Sequence, residues 1–158
     1  MSDAEFNYKI ASSTIRDTAV SLVQKYDELK HLDPDKILFV VNFSTRDKKK
    51  RLARTSRVPV KWQEVLYQKG ACCYWYMVEF FARTVNDLSA PQVTALMYRE
   101  LRKIDPSGEI CEPDTVDWYD LISCLGKSWA DPTRSCIDLL AEDTPKTIFT
   151  GRRPVSDD

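Results

Sequence analysis

A nearly continuous apolar run at residues 36–43, with sequence KILFVVNF, constrains the fold of this chain more than any other feature. Residues 33–35, Asp-Pro-Asp, form a turn before it. A strand that is apolar at consecutive positions is covered on both of its faces, and the run is rich in β-forming residues. The run therefore predicts a central strand of a sheet.

Helical patterns stand before and after this strand. Apolar residues recur at steps of three and four over residues 13–30, which predicts a helix with one buried face. A second helix is predicted over residues 89–104, because Ser89 is a favourable N-cap and Pro91 suits a first turn. A third is predicted from Asp114 to Gly126, a glycine placed to end it.

Two further segments have the composition of strands. Residues 52–60 alternate loosely in polarity and predict an edge strand. Residues 71–81 are aromatic and β-branched and predict another strand, in which Cys72 and Cys73 would point to opposite faces. The order of elements predicts an α+β fold with a small mixed or antiparallel sheet packed against about three helices. We expect one domain over residues 1–146 and a flexible tail over residues 147–158.

Composition limits the chemistry that the chain can support. His31 is the one histidine, so a site that needs several imidazoles is excluded, and its position predicts a capping or packing role. The cysteines include no C-x-x-C pair, which is typical of reduced thiols in a cytoplasmic protein. No apolar run approaches the length of a membrane span, so we expect no membrane partner. The five cysteines are Cys72, Cys73, Cys111, Cys124 and Cys136.

Charge is unevenly distributed along the chain. Residues 46–108 carry 13 basic and 6 acidic side chains, whereas residues 109–158 carry 5 and 11. Such a basic cluster can neutralise phosphates, so a nucleic-acid-binding module is one hypothesis for this segment. A solvated loop is the simpler interpretation. The cluster comprises Arg46, Lys48, Lys49, Lys50, Arg51, Arg54, Arg57 and Lys61.

The most informative stretch is residues 99–104, with sequence RELRKI. Zinc peptidases place two histidine ligands at i and i+4 of a helix, with a glutamate general base beside the first. Arg99, Glu100 and Lys103 occupy this spacing. Two cations therefore stand where the ligands would be.

Together with this stretch, several short motifs make the chain resemble the phage metallopeptidase family, small zincin-like proteins of phages and prophages. The family's H-I-D-x-D-x-I-L-F-V entry is similar to residues 31–40, its H-E-L-x-H-I helix to residues 99–104, and its H-D-V-x-D-F/W motif to residues 113–118. Its G-x-x-W and D-L-L motifs are similar to residues 126–129 and 138–140. The resemblance spans residues 13–140 and implies a zincin-like fold.

The resemblance implies three metal positions, and they fall on Arg99, Lys103 and Pro113, while the general base falls on Glu100. A guanidinium has no lone pair to donate, and an ammonium must lose its proton before it can coordinate. We therefore expect no metal and no other cofactor. Instead, Glu100 or Asp114 is expected to form salt bridges with Arg99 and Lys103.

These observations predict a pseudoenzyme that binds a protein partner. The resemblance implies a phage setting in the host cytoplasm and a host macromolecule as target, for example a defence complex that is inhibited. Two alternatives remain open. One is a peptidase whose metal is held by Cys111, Glu100 and Asp114. The other is nucleic-acid binding by the basic loop 46–61, and the residues proposed for binding in general are Arg46, Lys48, Lys49, Lys50, Arg51, Arg54 and Asp114.

Overall fold

The computed structural model describes residues 6–44, 51–71, 73–113 and 117–144, and within them it contains four strands and five helices. The strands are β1 (Tyr8–Ile10), β2 (Ile37–Asn42), β3 (Ala53–Arg57) and β4 (Tyr76–Phe81). The helices are α1 (Ser13–Lys25), α2 (Val60–Gln68), α3 (Ala82–Val85), α4 (Ala90–Arg102) and α5 (Tyr119–Leu125). The fold is α+β, as predicted.

The four strands form one mixed sheet in the order β1-β2-β4-β3. β2 and β4 run parallel, with Phe39 beside Val78, whereas β1 and β3 pair antiparallel with their neighbours. The chain between β2 and β4 includes β3 and α2, and so provides the crossover that parallel strands require. The apolar run thus forms an interior strand, which confirms the prediction made from it.

The main core lies where α1 and α4 pack together and α4 packs against β3. Phe39 and Phe80 from the sheet join Leu22 of α1 and Leu101 of α4 in one buried cluster. Tyr26 and Tyr98 meet edge to face in this core, with ring centroids 5.2 Å apart. Burial raises the pKa of both phenols.

The predicted start of α4 is confirmed, whereas the predicted end of α1 is wrong. The Ser89 side chain accepts a hydrogen bond from the Gln92 N–H, and the Gln92 side chain accepts one from the Ser89 N–H, which forms a capping box. α1 ends at Lys25 rather than at residue 30, because Tyr26 is extended. A 3₁₀ turn at Asp27–Leu29 then keeps Leu29 in the core.

The last helix is shorter than predicted. α5 begins at Tyr119, because Trp118 is extended, and the predicted residues 114–116 lie outside the described part of the chain. Gly126 ends the helix with φ at +90°, a conformation that favours glycine, so the predicted end is confirmed.

The strand predictions are right in kind and too long. Residues 52–60 contain β3, which lies at the sheet edge as predicted, but Pro59 is the N-cap of α2. The strand predicted over residues 71–81 begins only at Tyr76. Cys73 therefore lies outside the strand, and Cys72 is outside the described residues. The prediction that these adjacent cysteines point to opposite faces of a strand is wrong. β1, α2 and α3 were not predicted.

The segment after α5 packs back onto the domain. Trp129 and Leu139 are buried in the main cluster. The Lys25 ammonium donates to the carbonyl oxygens of Leu139 and Ala141 at 2.7 and 2.8 Å, which ties this segment to α1. The tail predicted over residues 147–158 lies outside the described residues. None of the described helices has the length and apolarity needed to cross a membrane.

Candidate functional site

The last turns of α4 bring the three sequence-predicted residues together. Glu100 is fully buried, on the side of α4 that faces β3. Its neighbours Arg99 and Lys103 have side chains that are only 14% and 12% exposed. A carboxylate and two cations therefore share a space from which water is largely excluded.

Both carboxylate oxygens of Glu100 are engaged. Oε1 accepts from Arg99 Nε at 3.1 Å and from Arg99 Nη2 at 3.0 Å. Oε2 accepts from the Thr55 hydroxyl at 2.7 Å and lies 3.1 Å from Lys103 Nζ. The salt bridges predicted between Glu100 and these two cations are confirmed.

A second carboxylate, Asp117, completes the group. One of its oxygens lies 3.9 Å from Arg99 Nη1 and accepts from the Trp129 indole N–H at 2.9 Å. The Arg99 guanidinium lies over the Trp129 ring, 5.9 Å from its centroid, and the Trp118 indole donates to the Arg99 carbonyl. We call Thr55, Arg99, Glu100, Lys103 and Asp117 the Glu100 cluster; its two cations and two carboxylates balance in charge.

His31 contacts a residue shortly after the end of α4 rather than the Glu100 cluster. Its Nε2 is 2.7 Å from the carbonyl oxygen of Ile104, just beyond α4, which agrees with the predicted capping or packing role. The ring lines a cleft of about 200 Å³ together with Lys36, Trp75 and Asp105.

The basic loop is only partly within the described residues. Arg46, Lys48, Lys49 and Lys50 lie outside them, as does Asp114. Arg51 and Arg54 are exposed, which leaves them accessible to a partner. Arg57 is an exposed residue that pairs with Glu109 at 3.1 Å.

The comparison with family models decides the affiliation of the chain. A family described as "Putative phage metallopeptidase" matches residues 6–140. The chain belongs to this family. The match includes every strand and helix described above and all of the Glu100 cluster. Searches among curated proteins and among solved structures found no match.

The phage metallopeptidase family implies a metal, and the donor chemistry at the Glu100 cluster does not fit one. Zinc is held by imidazole, thiolate or carboxylate, whereas Arg99 and Lys103 present cations and Pro113, half-buried in the loop after α4, presents no side-chain donor. Glu100 is occupied by its own partners. Among the described residues, no three histidine, cysteine, aspartate or glutamate side chains form a group suited to a metal ion.

The thiol of Cys111 is engaged elsewhere. It donates to Asp105 at 3.3 Å, and this hydrogen bond raises the pKa of the Cys111 thiol. The Ser107 hydroxyl and the Glu109 N–H donate to the same carboxylate and, with Cys111, lower the pKa of Asp105 to about 2. A metal ligand must be a thiolate, so these bonds disfavour Cys111 in the role that the peptidase alternative gives it.

Two members of the Glu100 cluster were not predicted to belong to it. Thr55 follows Ala53 at the two-residue spacing of inward-facing positions in β3, so its direction was readable from the sequence although its partner was not. Asp117 stands in the motif shared with the phage metallopeptidase family, and its partner Trp129 stands in the next motif. The shared motifs therefore meet in space around α4.

Proposed function

We propose that this member of the phage metallopeptidase family is catalytically inactive and works by binding a macromolecule of the host. The observation that carries the proposal is the state of Glu100, whose two oxygens accept from Arg99, Lys103 and Thr55 while the side chain is fully buried. A general base needs a free lone pair within reach of the water that it activates. Glu100 has neither a free oxygen nor access to solvent.

Electrostatics support the same proposal. Two unit charges 4 Å apart interact by ~4 kcal/mol at an effective dielectric constant near 20, and the value doubles when one of them is divalent. A metal ion at the cluster would meet this repulsion from both Arg99 and Lys103. Glu100 and Asp117 already compensate the two cations, so no net attraction remains for a further positive charge.

Family membership supports a phage setting, in which a protein that acts by binding meets its target in the cytoplasm of the infected host. A scaffold that has lost its metal chemistry retains its surface, and a surface is sufficient for inhibition. We therefore propose a host protein as the target, with inhibition of a defence complex as the biological outcome.

The test compares the wild type with a variant in which Arg99→His and Lys103→His are combined. The purified wild type is expected to contain no stoichiometric zinc by elemental analysis, to unfold at the same temperature with zinc or with chelator, and to leave casein uncleaved. The double variant places two imidazoles at i and i+4 beside Glu100 and should bind zinc more tightly than the wild type. Stoichiometric zinc in the wild type, or casein cleavage that Glu100→Gln abolishes, would contradict the proposal.

A further inference from the structure

α2 concentrates exposed apolar side chains on one short helix. Every residue of α2 is exposed apart from the half-buried Gln63. Trp62 is 53% exposed and Tyr67 is 74% exposed, and three aliphatic side chains accompany them. We call the five apolar residues of this helix the α2 surface: Val60, Trp62, Val65, Leu66 and Tyr67.

Hydrogen bonds at both ends hold α2 in place. The Gln63 side chain donates to the Val58 carbonyl at 2.8 Å, and the Val58 N–H donates to the Trp75 carbonyl at 2.8 Å, so the helix is fastened to the base of the β3-β4 pair. At the other end Gly70, with φ at +75°, and the bond from the Ala71 N–H to the Leu66 carbonyl close the helix in a Schellman motif. A helix of this length is marginal alone, so these bonds preform the α2 surface.

Positive charge predominates in the stretch of chain that contains the α2 surface. Residues 51–71 carry five cations and a single acid, Glu64, although the net charge of the whole chain is −1. Lys61 Nζ lies 5.6 Å from the centre of the Trp62 ring, and Lys36 Nζ lies 5.5 Å from that of Trp75, which is itself 47% exposed. A surface with exposed aromatic rings beside cations can bind apolar groups through the rings and acidic groups through the cations.

We propose that the α2 surface is the docking site for an acidic, apolar protein segment, one that presents carboxylates around aliphatic or aromatic side chains. Its apolar side chains would cover Trp62 and Leu66, and its carboxylates would face Lys61 and Lys69, the exposed cations at the two ends of α2. The inference deepens the proposed function and rests on it in one respect, that the protein acts by binding.

The geometry of α2 favours a protein over the other occupants. A nucleic acid would stack on Trp62 and Tyr67 but would leave Val65 and Leu66 uncovered. A membrane surface takes apolar residues from one side of a helix, whereas at 100° per residue Val60 and Trp62 lie about 160° apart around the axis of α2. A protein segment can contact both sides of so short a helix.

The experiment pans a library of random 20-residue peptides, displayed on yeast, against the whole purified chain. Enriched peptides are expected to be acidic and apolar, and their binding should weaken as salt is raised. Trp62→Ala combined with Leu66→Ala should weaken it by about tenfold or more, as truncation of central anchors does. Lys61→Glu should weaken it as well. Tyr119→Ala, which removes an exposed aromatic ring from α5, is the matched control and should leave binding unchanged.

Several outcomes would overturn the inference. They are peptides of neutral or basic composition, peptides whose affinity the α2 variants leave unchanged, and a library that yields no binder. Trp62-dependent binding of a single-stranded oligothymidylate, of phosphatidylglycerol vesicles, or of a second copy in sedimentation would assign the α2 surface to that occupant instead. Circular dichroism checks that each variant is folded. Zinc-dependent cleavage of casein would defeat the proposed function and leave α2-dependent peptide binding standing, so the two failures are distinguishable.

Discussion

At the scale of single residues, the presence of Glu100 does not require catalysis. In the family pattern a glutamate stands beside a divalent metal, and here Arg99 and Lys103 supply the same two positive charges as fixed side chains. Removal of the carboxylate would leave two largely buried cations without their main partner. Structural need alone is therefore sufficient to retain a glutamate at this position.

Glu100→Gln should lower the free energy of unfolding by about 3–5 kcal/mol, the usual cost of breaking a buried ion pair by removing one partner. The amide keeps the shape of the side chain but cannot neutralise Arg99 and Lys103. Urea unfolding followed by circular dichroism measures the change.

The matched control for Glu100→Gln is Glu112→Gln. The Glu112 side chain is 78% exposed and lies 4.0 Å from Lys103 Nζ, so its loss should change stability by no more than about 0.5 kcal/mol. Equal effects of the two substitutions would mean that the buried ion pairs of Glu100 contribute no more to stability than the exposed pair of Glu112.

At the scale of elements, the predictable parts were those whose signals are local. Ser89 as an N-cap and Pro91 in the first turn indicated the start of α4, and the apolar run at residues 36–43 identified β2. The lengths of the strands, in contrast, could not be predicted from local signals. β4 begins at Tyr76 because its parallel partner β2 begins at Ile37, after a 3₁₀ turn. The composition of a strand does not indicate where its partner strand begins.

The unpredicted elements lacked the usual signals. α2 has no buried face, so it lacks the apolar periodicity from which α1 and α4 were predicted. β1 is three residues long, below the length at which alternation is readable. In the Glu100 cluster, the pairing of Glu100 with Lys103 followed from helical spacing, whereas Thr55 reaches Glu100 across 45 residues of sequence.

Gln92 links the start of α4 to the segment after α5, and its loss should be costly. The fully buried side chain donates to the carbonyl oxygens of Trp129 at 2.9 Å and Asp131 at 2.6 Å, besides its part in the capping box. Gln92→Leu keeps the volume and removes the bonds that the side chain makes, so we expect a loss of about 2–4 kcal/mol in denaturant unfolding. Gln24→Leu, at an exposed position of α1, should cost less than about 0.5 kcal/mol; similar losses for both would contradict the role of Gln92.

At the scale of the whole molecule, side-chain contacts join a segment of little regular structure to the core. Beyond α5 the described chain contains no further helix or strand, yet Leu139 is fully buried and the Tyr26 hydroxyl donates to its carbonyl. The Thr144 hydroxyl donates to the Asp138 carbonyl and stabilises the turn that follows. We therefore propose that the domain extends to the end of this segment, in keeping with the predicted boundary at residue 146.

Lys25→Met should release this segment selectively. The ammonium of Lys25 donates to the carbonyl oxygens of Leu139 and Ala141, and hydrogen bonds from a charged group contribute about 1.5–3 kcal/mol each, whereas methionine keeps only the apolar stem. Hydrogen exchange followed by mass spectrometry should show faster exchange over residues 138–144 and little change in β2 and β4. Lys30→Met is the matched control, because the ion pair of Lys30 with Asp27 is exposed and contributes little. Uniformly faster exchange through the sheet would show instead that the segment and the sheet unfold as one cooperative unit.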